Sequence, residues 1–523
     1  METIIAKPFT NIAISLSGGG YRATTFHLGA LSYLNSLEYQ GENMLQRVKV
    51  LSTISGGTLT GVMYALYAAK GRSFEACYQK LYELLEEDKL LERAFEKLNN
   101  TTEWRDKTKS KDLINAFSEV YNEYFYEDET FNTLFEDDSS HLKDVIFGAT
   151  EFTTGIQFRF TENDDQGKFG NGNVNLPDDV AANIRLGDAA ASSSCFPGGF
   201  EPMVMPKDYS KSPTGPVSTT WNEKYQPTGI MDGGVIDNQG IEGVELAESR
   251  HSKEGPFIGT YIISDVSGRT MDPYEVPTIT FSKFKDFFTF RRINWLVGIF
   301  VAAMVAILYF VQPPIWETAI VAALLTMGVL WFVLFFIVKS VFKNALDGVI
   351  GKKHDHHLFK DIAVILKTPV YVLVYLIKMR ATSVIKMVSD IFLRRIRSLQ
   401  LRQLFSDNDW NYRIKTNNIY TLEGDEGITP EMANVVNVAN NMPTTLWFPD
   451  EQKKKQALKK LIACGQFTLC FNLIRYIENT IQKKQKEKVW DQLDDATKSD
   501  IDSLLQKMKS DFDLFLKDPL RMV

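Results

Sequence analysis

Three short runs of this sequence carry residue types that acyl or phosphoryl chemistry needs. The first is Ser17-Gly18-Gly19-Gly20-Tyr21-Arg22. Consecutive glycines let backbone amides converge, and a helix starting there adds its positive dipole end, so the run suits a phosphate or an oxyanion without distinguishing them. It lacks the Gly-Lys-Ser/Thr ending of a nucleotide P-loop and the G-x-G-x-x-G spacing of a dinucleotide fold. The second run is Thr53-Ile54-Ser55-Gly56-Gly57-Thr58. A serine among small residues fits a sharp turn that lifts a nucleophilic hydroxyl out of a sheet; Gly57 fills the second glycine position of G-x-S-x-G, and Thr53 replaces the first. Ser52 or Ser55 as a simple helix N-cap is the alternative. The third run, Gly229-Ile230-Met231-Asp232-Gly233-Gly234, sets an acid on a glycine turn.

Each run needs elements to hold it. Residues 11–16 (NIAISL) form a β-rich run, and ATTFHLGALSYLNSLEY after the glycines has apolar residues at helical spacing. Residues 48–52 (VKVLS) predict a second strand, and LTGVMYALYAA after Thr58 a second helix. Both chemistry-bearing loops are therefore strand-to-helix turns.

A glycine loop with a following arginine, a serine elbow about 35 residues later and a distant Asp-Gly-Gly together resemble the patatin-like phospholipases. FGATEFTTGIQFRF (147–160), RLGDAAASSSCFPGGFEP (185–202), NNMPTTLWF (440–448) and a helix after Gly465 are similar to further elements of that family. The resemblance covers about residues 9–280 and resumes near 416–478. It implies a three-layer α/β/α hydrolase with a central, mostly parallel sheet. It also implies a Ser-Asp dyad, with Ser55 as nucleophile, Asp232 as proton acceptor, and the amides of Gly18, Gly19 and Gly20 as oxyanion hole. Gly57, Gly233 and Gly234 support these turns. Arg22 either braces the glycine loop or binds a substrate phosphate. None of the six histidines shows a motif that completes a Ser-His-Asp triad, and His27, in the first helix, is the one to watch. No metal or other cofactor is expected.

The chain has 523 residues, 44% hydrophobic, with a net charge of −7, which excludes disordered and low-complexity classes; the pI of about 5.6 argues against a nucleic-acid binder. Cys77, Cys195, Cys464 and Cys470 form neither a zinc pattern nor a disulfide framework, and the last two read as core residues in a reducing compartment. The N-terminal stretch gives no expectation of a secretory signal. A mean hydropathy of −0.15 suggests a soluble protein. The local count reverses that impression: 293–311 and 318–338 carry no charge. At 1.5 Å per residue they reach roughly 29 and 31 Å, against a hydrocarbon core of about 30 Å. Two buried core helices are the alternative.

The connector QPPIWE (312–317) predicts a tight hairpin. Lys283, Lys285, Arg291 and Arg292 before the first span, and Lys339 and Lys343 after the second, predict that both outer ends face the cytoplasm. Trp295 and Trp316 fit membrane interfaces; Trp331 lies deeper and reads as apolar filler. Residues 339–415 hold about 15 Lys and Arg against about 6 Asp and Glu, leaving the remainder near −16. Within them, 362–377 reads as an interfacial or re-entrant helix. MVSDIFLRRIRSLQLRQLF reads as a basic amphipathic helix, lying either on anionic headgroups or on the enzyme core.

The expected layout is a catalytic domain over 1–280, with a helical insertion at 70–140 that is either a cap or a packing subdomain. A transmembrane hairpin follows at 281–345 and basic amphipathic helices at 346–415. The closing part of the catalytic domain is expected at 416–478 and charged helices at 479–523. The expected function is a membrane-anchored serine lipid acyl hydrolase acting on glycerophospholipid esters, with membrane phospholipid and anionic headgroups as partners and the oligomeric state open. A catalytically weak scaffold or regulatory protein of the same fold is the alternative.

Overall fold

The computed structural model describes residues 6–104, 106–135, 140–163, 168–253, 255–270, 274, 276, 278–311, 314–350, 366–482 and 489–523. Within them, ten strands form one mixed sheet: β1 (Ile12–Leu16), β2 (Val48–Ile54), β3 (Asp144–Glu151), β4 (Gln157–Asn163), β5 (Phe169–Gly170), β6 (Asn175–Leu176), β7 (Met203–Met205), β8 (Thr228–Asp232), β9 (Thr260–Asp265) and β10 (Ile414–Asn418). The order is β10-β9-β1-β2-β3-β4-β5-β6, parallel from β10 to β3 and antiparallel beyond, with β8 antiparallel to both β3 and β7.

Side chains alternate across a strand, so a sheet covered on both faces divides its residues between two cores. Ile12, Ile14, Leu16, Leu51, Val145, Phe147 and Ile262 enter the larger core; Ala13, Val50, Ile146, Tyr261 and Ile263 enter a smaller one. The larger core takes α1 (Gly20–Asn35), α2 (Gly56–Ala69), α3 (Phe74–Glu87), α4 (Leu90–Asn99), α5 (Leu113–Val120) and α6 (Leu186–Ser193). The smaller core takes α7 (Ile241–His251) through Ile241, Val244 and Ala247. The fold is α/β with a mixed, mostly parallel central sheet.

Two compact units divide the chain: residues 1–271 with 388–523, and residues 272–387. The second unit contains α8 (Phe290–Phe310), α9 (Ile315–Ile350) and α10 (Val370–Lys386). Helix α8 and residues 315–337 of α9 are long and apolar enough to cross a membrane, and only 0% and 6% of their most apolar stretches are buried. Trp331 is not mere filler, because its Nε1 donates to Asn294 Oδ1 at 2.9 Å and ties α9 to α8. A helix over 362–377 does not form as one piece. Helix α10 starts at Val370 behind Pro369, whose ring fixes φ and clashes with a preceding helical turn. Residues 362–365, Gln312 and Pro313 of the connector, and His354, His356 and His357 lie outside the described residues.

Chain returning to the first unit forms α11 (Leu393–Ser406), α12 (Ala457–Tyr476) and α13 (Asp495–Lys517). Helix α11 puts Leu404 in the smaller core, with Leu401 packed against it, and brings Arg397 Nε to 3.8 Å from Asp265 Oδ2. Its opposite side leaves Arg395, Leu399, Arg402 and Phe405 exposed. Helix α12 crosses α1 with backbones in direct contact: a Cβ on Gly29 would strike the Ile462 carbonyl, and one on Gly465 the Phe26 carbonyl.

Candidate active site

Strand β2 delivers Ser55 and α2 starts on the next residue. Ser55 has φ 52° and ψ −122°, a sparsely populated conformation for a residue with a side chain. Such strain costs on the order of 1–3 kcal/mol and persists only where the surroundings over-determine it. Here they do. The Ser55 amide donates to Ser193 Oγ at 2.8 Å; Ser193 Oγ donates to the Gly148 carbonyl at 2.7 Å and lies 2.8 Å from Thr58 Oγ1. Gly56 and Gly57 are obligatory, since a Cβ on either would strike the backbone of Gly20 or of Leu16 and Ser17. Thr53 fits where the motif has glycine because its methyl rests where Gly61 has no side chain, and its hydroxyl donates to Thr58 Oγ1 at 3.0 Å.

Asp232 arrives from the opposite direction. Strand β2 ends with Ile54 paired to Gly148 of β3, and β8 ends with Asp232 paired to Ala149. Strand β4 occupies the other edge of β3 through Thr150, so β2 and β8 share one edge and meet head to head on adjacent rungs. Rungs lie about 3.3 Å apart, which puts the serine turn and the aspartate together. The Asp232 amide donates to the Cys195 carbonyl at 3.1 Å, its carbonyl accepts from Thr150 Oγ1 at 2.8 Å, and its Oδ1 accepts from the Gly234 amide at 2.7 Å. Burial raises the Asp232 carboxyl to about 6, while hydrogen bonds from the Gly234 amide and the Ser55 side chain pull it back. The Gly233 amide donates to the Ser193 carbonyl at 3.4 Å.

The glycine loop lies against this pair. Gly20 has φ 56°, and a side chain there would also strike the carbonyls of Thr444 and Thr445. The Gly18 amide donates to the Asn238 carbonyl at 3.0 Å and the Tyr21 amide to the Thr445 carbonyl at 2.8 Å. Among the described residues, the Gly19 and Gly20 amides have no protein acceptor. Arg22 Nη1 donates to the Met442 carbonyl at 3.0 Å. Thr24 Oγ1 donates to the Gly56 carbonyl at 2.8 Å and joins the loop to the serine turn.

Histidine takes no part among the described residues. His27 is buried with Nε2 3.0 Å from the Ser17 carbonyl and Nδ1 3.0 Å from Ser264 Oγ. A carbonyl only accepts, so the proton sits on Nε2, and burial lowers the ring to about 4. His141 meets Tyr64, and His251 meets Asp144. Sequence reasoning missed Ser193, Thr58, Gly61 and Thr24. The only signal for Ser193 was its place in the Ala-Ser-Ser-Ser run, 138 residues from the amide it accepts.

The patatin-like phospholipase family model matches residues 14–244. No curated protein matches the chain. The matched interval contains both strand-to-helix turns and the Asp232 turn, and it ends before the second unit.

Proposed function

Starting from a patatin-like phospholipase domain over residues 14–244, we propose that the protein is a membrane-anchored serine lipid acyl hydrolase cleaving glycerophospholipid esters through Ser55 and Asp232. The family is a hydrolase family and implies lipid acyl hydrolase activity. In the proposed reaction, Asp232 accepts the Ser55 hydroxyl proton as Oγ bonds to the ester carbonyl carbon. The oxyanion of the tetrahedral intermediate is held by the Gly19 and Gly20 amides, with the Gly18 amide bracing the loop. Collapse breaks the ester C–O bond, Asp232 returns the proton to the leaving alcohol, and water repeats the sequence on the acyl-serine. A carboxyl near 6 is a stronger base than an ordinary aspartate and is still ionised at pH 7.

One observation carries this reading: β2 and β8 end on adjacent rungs of the same edge of β3. Thr53 gives the scaffold alternative no support, because Gly61 makes room for it. Exposure of α8 and of 315–337 in α9 supports a hairpin anchor, and the flanking Lys and Arg residues support cytoplasmic ends. The exposed Arg395, Leu399, Arg402 and Phe405 side of α11 supports contact with anionic headgroups. The test is mass spectrometry of lipids released from phosphatidylcholine and phosphatidylglycerol vesicles. Wild type releases fatty acid and lysophospholipid, and Asp232→Asn releases none; equal release by both refutes the dyad.

A further inference from the structure

Both halves of the proposed dyad hang from one three-residue segment. At the end of α6, Ser193 Oγ accepts from the Ser55 amide, the Ser193 carbonyl accepts from the Gly233 amide, and the Cys195 carbonyl accepts from the Asp232 amide. We propose that Ser193 is a positioning residue, holding the Ser55 turn at the angle that sets its hydroxyl against Asp232 by accepting the Ser55 backbone N–H. The inference rests on the hydrolase reading and adds to it a residue outside the serine, aspartate and glycine motifs.

The proton order fixes the direction of the device. The Gly148 carbonyl can only accept, so Ser193 Oγ donates its one proton there, at 2.7 Å. Thr58 must then donate to Ser193 Oγ, at 2.8 Å, and Thr53 donates to Thr58 at 3.0 Å. Ser193 Oγ thus donates once and accepts twice, from Ser55 and Thr58, and has no rotational freedom left. It joins the strained turn, the first turn of α2 and the rung of β3 that precedes Ala149, the partner of Asp232.

Helix α6 is itself fixed by buried charge. Lys109 Nζ lies 2.6 Å from Asp188 Oδ1, and Arg185 lies 2.6 Å from Glu119 Oε1. Burial opposes ionisation of Asp188, but Lys109 and Arg185 outweigh it and hold the carboxyl below its ordinary value. A partner set this buried is costly to break and resists sliding of α6 against α5. Strain at Ser55 therefore has a rigid support to push against.

Removing the Ser193 hydroxyl leaves the Ser55 N–H buried without an acceptor and lets the turn relax. The Ser55 hydroxyl then drifts from Asp232, which loses a hydrogen bond that lowers its carboxyl. Cys195 is the other titratable group that Asp232 acts on; its thiol is pushed well up by burial and stays neutral through the range tested.

The experiment uses the full chain in detergent micelles, with p-nitrophenyl butyrate as probe and rates referred to the folded fraction from gel filtration. Expected for Ser193→Ala is a kcat lower by about 10- to 100-fold, a KM within about twofold, and an acidic limb of the pH profile moved to higher pH; Ser193→Thr, which keeps the hydroxyl, restores most of kcat. A merely structural role would lower the folded fraction and leave the midpoint of the acidic limb in place, and that result overturns the proposal. So does a kcat for Ser193→Ala within about twofold of wild type. If Ser193→Ala does not fold, Ser193→Cys, a weaker acceptor, carries the same expectation and the same refutation. Wild-type turnover no greater than that of Ser55→Ala overturns the hydrolase reading and this role with it, whereas wild-type turnover matched by Ser193→Ala overturns this role alone.

Discussion

Residues 315–337 of α9 and residues 457–481, which begin with α12, are both long and apolar enough to cross a membrane, yet 6% of the most apolar stretch of one and 78% of that of the other is buried. What separates them is the company each keeps. The second carries Gln466 and Asn472, whose amides donate to Ser32 Oγ and Asn417 Oδ1, and Gly465, which lets α1 approach to backbone contact. The first pairs with α8, where Trp331 donates to Asn294, Phe335 meets Phe290 and Gly328 lies against Val301, and many of its other apolar side chains are exposed. Apolar length nominates a membrane helix, and the interior polar residues decide whether protein or lipid receives it.

On the proposed function the contrast makes chemistry and anchorage separable, and substitutions on each side can break it. Ser55→Ala, the largest effect, is expected to lower ester hydrolysis at least about a thousandfold and abolish fluorophosphonate labelling, while the protein stays in the pellet after carbonate washing. Deleting 290–337 is expected to do the reverse, moving the protein to the supernatant with hydrolysis of p-nitrophenyl butyrate retained; a protein still pelleted would dissolve the distinction. Gly465→Leu drives a side chain into the Phe26 carbonyl. It is expected to destabilise the first unit by roughly 3 kcal/mol or more, read as a lower Tm, with no change in partition.

Asp232 sharpens the catalytic side through pH. Its buried carboxyl sits near 6 in the fold, against about 4 in an unfolded chain, so the native state binds the extra proton between those values. Stability contributed by the protonated form is fully present below about 4 and is lost as pH rises through about 6, whereas the carboxylate that the proposed reaction uses as base appears over the same interval. Activity is thus expected to rise through pH 6. Asp232→Asn is expected to be inactive yet more heat-stable than wild type at pH 8, by a margin that shrinks towards pH 4. The smallest effect belongs to the hairpin: Trp331→Phe is expected to cost about 0.6 kcal/mol, measurable in a double-mutant cycle with Asn294→Ala.

The two strand-to-helix turns were legible because glycine clusters interrupt a period-two run and begin a helical one. Strand β2 extends two residues beyond the expected 48–52, into the turn itself. Head-to-head pairing of β2 and β8 was not legible, since no local pattern tells which edge of β3 a five-residue strand will join. Ser193 stayed hidden for the same reason. Thr53 read as a departure from a motif because its compensation, Gly61, lies eight residues on, inside α2, and meets it only after the strand and helix pack. Trp331 read as filler because its partner, Asn294, sits on the other helix. In each case the missing fact is a contact between different elements of the fold.

The glycine loop, made among the first residues of the chain, is braced by the carbonyls of Met442 and Thr445. Roughly 390 residues separate Ser55 from Thr445, which at about 5–20 residues per second is on the order of 20–80 s of synthesis. The hairpin is translated inside that interval. A nascent chain therefore carries its serine for tens of seconds with the loop that should face it still unbraced. Bracing of the loop by Met442 and Thr445 waits until residues 290–337 have already been synthesised, so order of synthesis puts the apolar hairpin before the last contacts of the glycine loop.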